Sequence, residues 1–264
     1  WDKIEEPFSD SLFPGEKYGL SEPAASLISS RGCPFHCAFC ANIYWLPVVH
    51  RSVDNIIGEF KALMKRGIRY FRFEDDNVAI HPEFPYLANE IQKFHISYKC
   101  HIRSDLVNEE RAWLLAESGC EECGIGLESA DDNVLKLNNK KETSFDHLHA
   151  LRVLQKAGIR TKTYFVMGLP GETDETLKLN KQFVQEARPD KWTVSTFTPY
   201  PGCDIYKHPE NYGIKIVDWD FAHWWNFCEE MHQYNHIIIG QTPEQMWNRY
   251  KNFYNFMAEG SWQA

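Results

Sequence analysis

The sequence contains no long hydrophobic run. Its longest aliphatic stretch is Ile237-Ile238-Ile239, far below the roughly 18 residues that cross a bilayer, so neither a membrane span nor a signal peptide is expected. It lacks a basic excess too. Against 28 Lys and Arg stand 37 Asp and Glu, a formal charge of −9, which removes the footprint of non-specific nucleic-acid binding and predicts no nucleic-acid partner. A G-x-G-x-x-G dinucleotide fingerprint is missing. Cysteine is scarce for a disulfide scaffold, with eight in 264 residues, three of them crowded into positions 33–40. That distribution fits cytoplasmic thiols with a metal role better than crosslinks. A start at Trp1 instead of methionine predicts a piece trimmed from something longer.

What is present is an ordinary globular composition, 43% hydrophobic and 25% charged, in a chain long enough to bury a core without staples. Positions 1–24 are rich in Pro, Ser, Gly and acidic residues and read as a lead-in. From Ala25 a rhythm begins. Strand-like runs are expected at 25–30, 68–73, 96–102, 122–127, 161–167 and 192–197. Between them, apolar stripes such as Val53, Ile56, Ile57, Phe60, Leu63 and Met64 predict helices, several stopped by glycines at 67, 119 and 158. Strand alternating with helix argues a parallel sheet clad in helices. Six such units suggest an α/β fold, a partial (β/α)6 TIM-type barrel over 25–202, with the aromatic-rich 203–264 as a C-terminal extension or cap. In such barrels the chemistry lies in loops after the strands.

The strongest local signal follows the first strand: Cys33-Pro34-Phe35-His36-Cys37-Ala38-Phe39-Cys40. Three thiolates on one loop can face a single inorganic centre and leave one coordination position open. A closed structural zinc site would want a fourth ligand, and His36 lies awkwardly between two of the three. Thiolates are the usual iron–sulfur ligands. Buried structural cysteines or a zinc knuckle are the plainer alternatives.

This run resembles the signature of the radical S-adenosylmethionine enzymes. The resemblance implies that Cys33, Cys37 and Cys40 hold a 4Fe-4S cluster, that its free iron chelates S-adenosylmethionine, and that Phe39 packs near the adenine. It extends in order along the strand ends. Phe73-Glu74-Asp75-Asp76 is similar to the second-strand motif that receives the methionine amino group, implying Glu74 or Asp75. Arg103-Ser104-Asp105 is similar to an Arg-x-Asp run of the same family. Gly126-Leu127-Glu128-Ser129 resembles a Gly-x-Glu-Ser motif near ribose and methionine, implying Glu128 and Ser129. Gly168-Leu169-Pro170-Gly171-Glu172-Thr173 resembles the turn whose backbone lies beside the adenine, implying Gly168. In Tyr200-Pro201-Gly202-Cys203 the family normally has Thr or Ser at position 203, so Cys203 is either a neutral small residue or a reactive thiol.

The motifs look most like the branch that carries a cobalamin-binding domain. The resemblance therefore implies cobalamin held by a domain outside this chain, methyl transfer to carbon or phosphorus, a small-molecule or peptide substrate, and an electron donor such as flavodoxin or ferredoxin. Alternatives are a cobalamin-independent rearrangement or cyclisation, a methylthiotransferase, and a non-catalytic iron–sulfur protein. Cys120-x-x-Cys123 has redox-motif spacing, but strand alternation would put its two thiols on opposite faces, so it reads as structural. Cys228, His223, His232 and His236 form a loose C-terminal collection that reads as packing or substrate contact.

Overall fold

The computed structural model describes residues 24–41, 47–224 and 234–260. The lead-in up to position 23, Cys228, His232 and the side chain of His223 lie outside the described residues.

The expected rhythm is present. In chain order the elements are β1 (Ala24–Leu27), β2 (Ser30–Arg31), β3 (Val49–His50), α1 (Val53–Lys65), β4 (Tyr70–Phe73), α2 (Phe84–Gln92), β5 (Ser97–His101), α3 (Glu109–Glu117) and β6 (Cys120–Glu128). There follow α4 (Asp132–Leu137), α5 (Ser144–Lys156), β7 (Arg160–Met167), α6 (Asp174–Ala187), β8 (Lys191–Thr196), α7 (Asp204–Lys207), β9 (Ile214–Ile216), β10 (His236–Ile238) and α8 (Pro243–Glu259). Six strands form one sheet in the order β1-β4-β5-β6-β7-β8. The pairs β1–β4, β4–β5, β5–β6 and β7–β8 are all parallel. Among the described residues β1 and β8 are the edge strands of this sheet.

By chain contacts the protein divides into two compact units. The first takes residues up to 34, 45–124 and 153–161. Its core forms where α1 lays Ile56, Ile57, Phe60 and Leu63 against the sheet. Phe60 meets Phe71 edge-on at 4.7 Å between ring centres, and Phe73 meets Tyr98 at 5.2 Å. Ser52 starts α1 by accepting the Asn55 N–H, the capping that Ser at this position predicts. The second unit takes 35–44, 125–152 and 162–264. Its core gathers Ala38, Leu169, Phe197, Ile205, Tyr234 and Met246. Phe253 of α8 stacks edge-on against Phe165 of β7 at 4.9 Å.

Three details depart from the sequence reading. The first predicted strand is two pieces: β1 ends at Leu27, and β2 pairs antiparallel with β3. The helical region expected before Gly158 is two helices, α4 and α5, separated at the turn Asn138–Lys141, where Asn139 and Lys141 take left-handed backbone at φ 52° and 56°. Where the sequence predicts a helix over 82–94 with Pro82 near its first turn, α2 starts at Phe84 with Pro85 in its first turn. No helix among the described residues is long and apolar enough to cross a membrane.

Candidate functional site

The loop carrying Cys33, Cys37 and Cys40 leaves the strand ends directly after β2. All three thiols are half-buried and none is in a disulfide. The Cys40 N–H donates to the Cys37 carbonyl at 3.1 Å, closing a tight turn between the second and third cysteines. Two sets of bonds hold the loop.

Upstream, within the first unit, the Asp75 carboxylate is 2% exposed and takes four groups of the chain leading into the loop. Ser30 donates to Oδ1 through its amide at 2.6 Å and its hydroxyl at 2.8 Å, and Ser29 does so through its hydroxyl at 2.5 Å. The Ser29 amide donates to Oδ2 at 2.9 Å. This clasp explains why the predicted strand breaks at Ile28. Asp75 thereby anchors the chain entering the loop through both of its oxygens. Glu74, 37% exposed, accepts from Ser26 Oγ at 2.9 Å and pairs with Arg72 at 3.1 Å.

Downstream, within the second unit, the Ala38 N–H donates to the Asn138 carbonyl at 2.9 Å and the Ala38 carbonyl accepts from the Ile205 N–H at 3.1 Å. Asn139 donates its side-chain amide to the His36 carbonyl at 2.5 Å. Residues a hundred positions away thus fasten the loop's backbone. Sequence reasoning missed Asn138 and Asn139; the Asn-Asn pair after a short helix was the available signal, because Asn tolerates the left-handed turn that presents it.

At the end of β5 the buried Arg103 guanidinium forks onto Asp105, with Nε and Nη2 each 3.1 Å from its two oxygens. The carboxylate that Arg103 pairs with thus comes from its own loop. At the end of β6 Glu128 adopts φ 64°, a conformation costly for a non-glycine residue and typical of functional positions. Its Oε1 accepts from the buried Lys140 Nζ at 3.2 Å, and Lys140 also pairs with Glu142 at 3.1 Å. The carboxylate is therefore paired within the protein. Gly126 makes the pairing possible, since a Cβ there would collide with Glu128 Oε1. The Lys140 ammonium lies 6.0 Å from the centre of the Phe39 ring, which joins Glu128, Lys140 and the cysteine loop in one neighbourhood.

Ser129 is not the N-cap of α4. That role falls to Asp131, which accepts the Asn133 N–H at 2.9 Å. Ser129 accepts from the Asp131 N–H at 3.1 Å and holds the turn, because the chain needs two more residues to enter the helix. Gly168 has φ 87°, and both its backbone polar groups are engaged: its N–H donates to Glu172 Oε2 at 2.7 Å, and its carbonyl faces His236 Nε2 at 2.9 Å. Cys203 is resolved as the neutral alternative. It is fully buried, its Sγ caps α7 by accepting the Tyr206 N–H at 3.3 Å, and burial raises its pKa.

The other cysteines form a separate group. A register shift between Tyr98 and Lys99 pairs Tyr98 with Cys120 but Lys99 with Glu122, leaving Glu121 as a bulge. The extra residue resets the alternation. Cys120 and Cys123 therefore share a side, contrary to the simple pattern, and lie 3.7 and 3.9 Å from Cys100 Sγ. All three are buried with pKa values raised, so they are neutral thiols. For Cys120, burial is the largest cause, reinforced by the Cys100 hydrogen bond. Among the described residues, no three His, Cys, Asp or Glu side chains are already gathered as a metal site. The donor chemistry of the 33–40 loop nevertheless fits an iron–sulfur cluster: three uncrosslinked, half-exposed sulfurs on a backbone fastened at both ends.

A thiol-bearing loop follows the first strands of a parallel α/β sheet, and polar side chains stand at the ends of later strands. The Radical SAM superfamily profile matches residues 27–184, and the chain belongs to that superfamily of enzymes. It is similar to the bacteriochlorophyllide d C-12(1)-methyltransferase of Chlorobaculum tepidum, 26% identical over 230 residues, covering 81% of this chain and 50% of that one. It is also similar to the anaerobic magnesium-protoporphyrin IX monomethyl ester cyclase of Rubrivivax gelatinosus, 26% identical over 232 residues, covering 85% and 41%. The chain thus spans about half the length of these relatives or less. Its fold matches the radical S-adenosylmethionine methyltransferase TsrM from Kitasatospora setae, with TM-score 0.70 and 16% identity over 89% of this chain and 51% of that one.

Proposed function

We propose that this chain is the catalytic barrel of an enzyme that reductively cleaves S-adenosylmethionine and abstracts hydrogen from its substrate. The carrying observation is the fastening of the cysteine loop. Asp75 clasps its entry, and Asn138, Asn139 and Ile205 bind its backbone, while Cys33, Cys37 and Cys40 are left as uncrosslinked donors. When bound there, a 4Fe-4S cluster supplies the electron that breaks the sulfonium carbon–sulfur bond. The protein's part is positional. Phe39 offers an aromatic face, and the Lys140 bond sets the orientation in which Glu128 accepts hydrogen bonds from the cofactor. The buried fork of Arg103 on Asp105 stiffens the β5 rim. We read 25–202 as the barrel and 203–264 as its cap.

In the full-length protein we propose cobalamin-dependent methyl transfer to a small-molecule or peptide substrate, with flavodoxin or ferredoxin as the electron donor. The likeness to a methyltransferase of about twice the length supports the methyl transfer. The likeness to a cyclase supports, as a second reading, a cyclisation by the same radical. The uncrosslinked thiols suit a reducing cytoplasm. The test is anaerobic reconstitution with iron and sulfide, reduction, and quantification of 5′-deoxyadenosine. Its formation supports the reading; a reconstituted, reduced protein that forms none contradicts it.

A further inference from the structure

The turn after β7 is held by residues that the cysteine loop and strand-end motifs do not explain. Gly168 occupies a left-handed conformation, and a Cβ there would meet Met246, Tyr234 and His236 at 3.4 to 3.5 Å. All three belong to the C-terminal segment. Both polar atoms of the Gly168 backbone are claimed by buried ionisable side chains, Glu172 on the N–H and His236 on the carbonyl. Glu172 is itself gripped from α8. Arg249 Nε donates to its Oε1 at 3.0 Å, and Gln241 donates to its backbone carbonyl at 2.7 Å. Arg249 also bonds Gln241 and pairs with Asp174 at 3.1 Å. Asn235 Oδ1 lies 3.0 Å from Nδ1 of His236.

These contacts form a closed chain, from α8 through Glu172 and Gly168 to β10. The turn it fixes carries Leu169, which shares a packed cluster with Ala38 and the partly buried Phe39 and Val166. Any shift of the turn is therefore felt at the cysteine loop. Burial holds the His236 pKa down at about 4, so at neutral pH the ring is uncharged and has a single N–H; carried on Nε2 it donates to the Gly168 carbonyl, and Nδ1 is then an acceptor that pairs with the Asn235 amide when its NH2 end is turned toward the ring.

We propose that His236 and Arg249 of the C-terminal segment are positioning residues for the cofactor, setting the turn after β7 against which the adenosyl group is held. This rests on the radical S-adenosylmethionine reading above. It makes 203–264 part of the cofactor site by support instead of by contact.

The experiment compares wild type, His236→Phe and His236→Gln after anaerobic reconstitution. Iron content, S-adenosylmethionine affinity by equilibrium dialysis, and hydrogen exchange of the peptide spanning Gly168 are measured on each. His236→Phe keeps the packing and loses the donor; we expect unchanged iron, faster exchange at the turn, and affinity weakened about five- to ten-fold, the worth of one buried hydrogen bond. His236→Gln restores a donor and should recover most of that affinity. Should His236→Phe fail to fold, Arg249→Lys carries the same expectation, since Lys keeps the charge but loses the fork that joins Glu172 to Asp174 and Gln241. Wild-type binding with unchanged affinity in the folded variants overturns this inference alone. Wild-type protein that loads iron yet binds no S-adenosylmethionine overturns both it and the functional reading.

Discussion

Two groups of three cysteines sit in this chain under opposite conditions. Cys33, Cys37 and Cys40 lie half-buried on a loop at a strand end. Cys100, Cys120 and Cys123 lie inside the first unit, 2%, 5% and 0% exposed, with sulfurs in mutual contact. Sulfur is common to both; environment decides its use. The thiolate is the ligand and nucleophile. The inner trio, with its pKa values raised, is held as neutral thiol and packs like a small hydrophobe. The outer trio has water on one side and a backbone fastened by Asp75 and Asn138.

The largest expected contrast is in reactivity. In cluster-free, reduced protein the loop thiols should alkylate with iodoacetamide at the rate of exposed cysteines. The inner trio should wait for the first unit to open, which slows it by about a thousand-fold or more for a domain of ordinary stability. Mass spectrometry of quenched time points reads this directly. Equal rates would erase the contrast.

Burial silences imidazoles as it does thiols, with the opposite direction of shift. His236 and His147 are both pushed down to about 4 by burial. The unfolded chain has ordinary imidazoles near 6.5, so it binds more protons than the folded state between about 6.5 and 4. Stability should therefore fall as pH drops through that window, by on the order of 3 kcal/mol for each imidazole. Denaturant melts at a series of pH values check this. His236→Phe should flatten the slope.

Smaller still is the effect of trimming the inner trio. Cys123→Ala should cost about 1–2 kcal/mol through lost packing and leave iron content untouched. Chemical denaturation with parallel iron analysis separates the two. The least effect is expected at the thiol that does neither job. Cys203 caps α7, so Cys203→Ser should change stability by no more than about 0.5 kcal/mol. A large loss in thermal denaturation would mean the sulfur packs more than it caps.

The sheet was readable in the sequence because each strand and helix carries its own apolar pattern, as α1 does with Val53, Ile56, Ile57 and Phe60. The three loop cysteines were readable because their spacing is local. What escaped was set by contacts between distant residues. The bonds that Asp75 accepts from Ser29 and Ser30 span 46 and 45 positions. The partner of Glu128, Lys140, lies twelve positions on and reaches it only through a turn of left-handed residues. The side shared by Cys120 and Cys123 depends on one bulged residue, Glu121, that no alternation rule anticipates. His236 and Arg249 act on Gly168 and Glu172 across 68 and 77 positions, and nothing in their neighbours' sequence marks them.

The central claim is that only the outer thiols hold the cluster. Its most direct test is iron and acid-labile sulfide per chain after anaerobic reconstitution of two triple variants, Cys33→Ala/Cys37→Ala/Cys40→Ala and Cys100→Ala/Cys120→Ala/Cys123→Ala, each confirmed as folded by circular dichroism. The account predicts no cluster in the first and a full wild-type complement in the second. Iron retained by the first, or lost from a folded second, would contradict it.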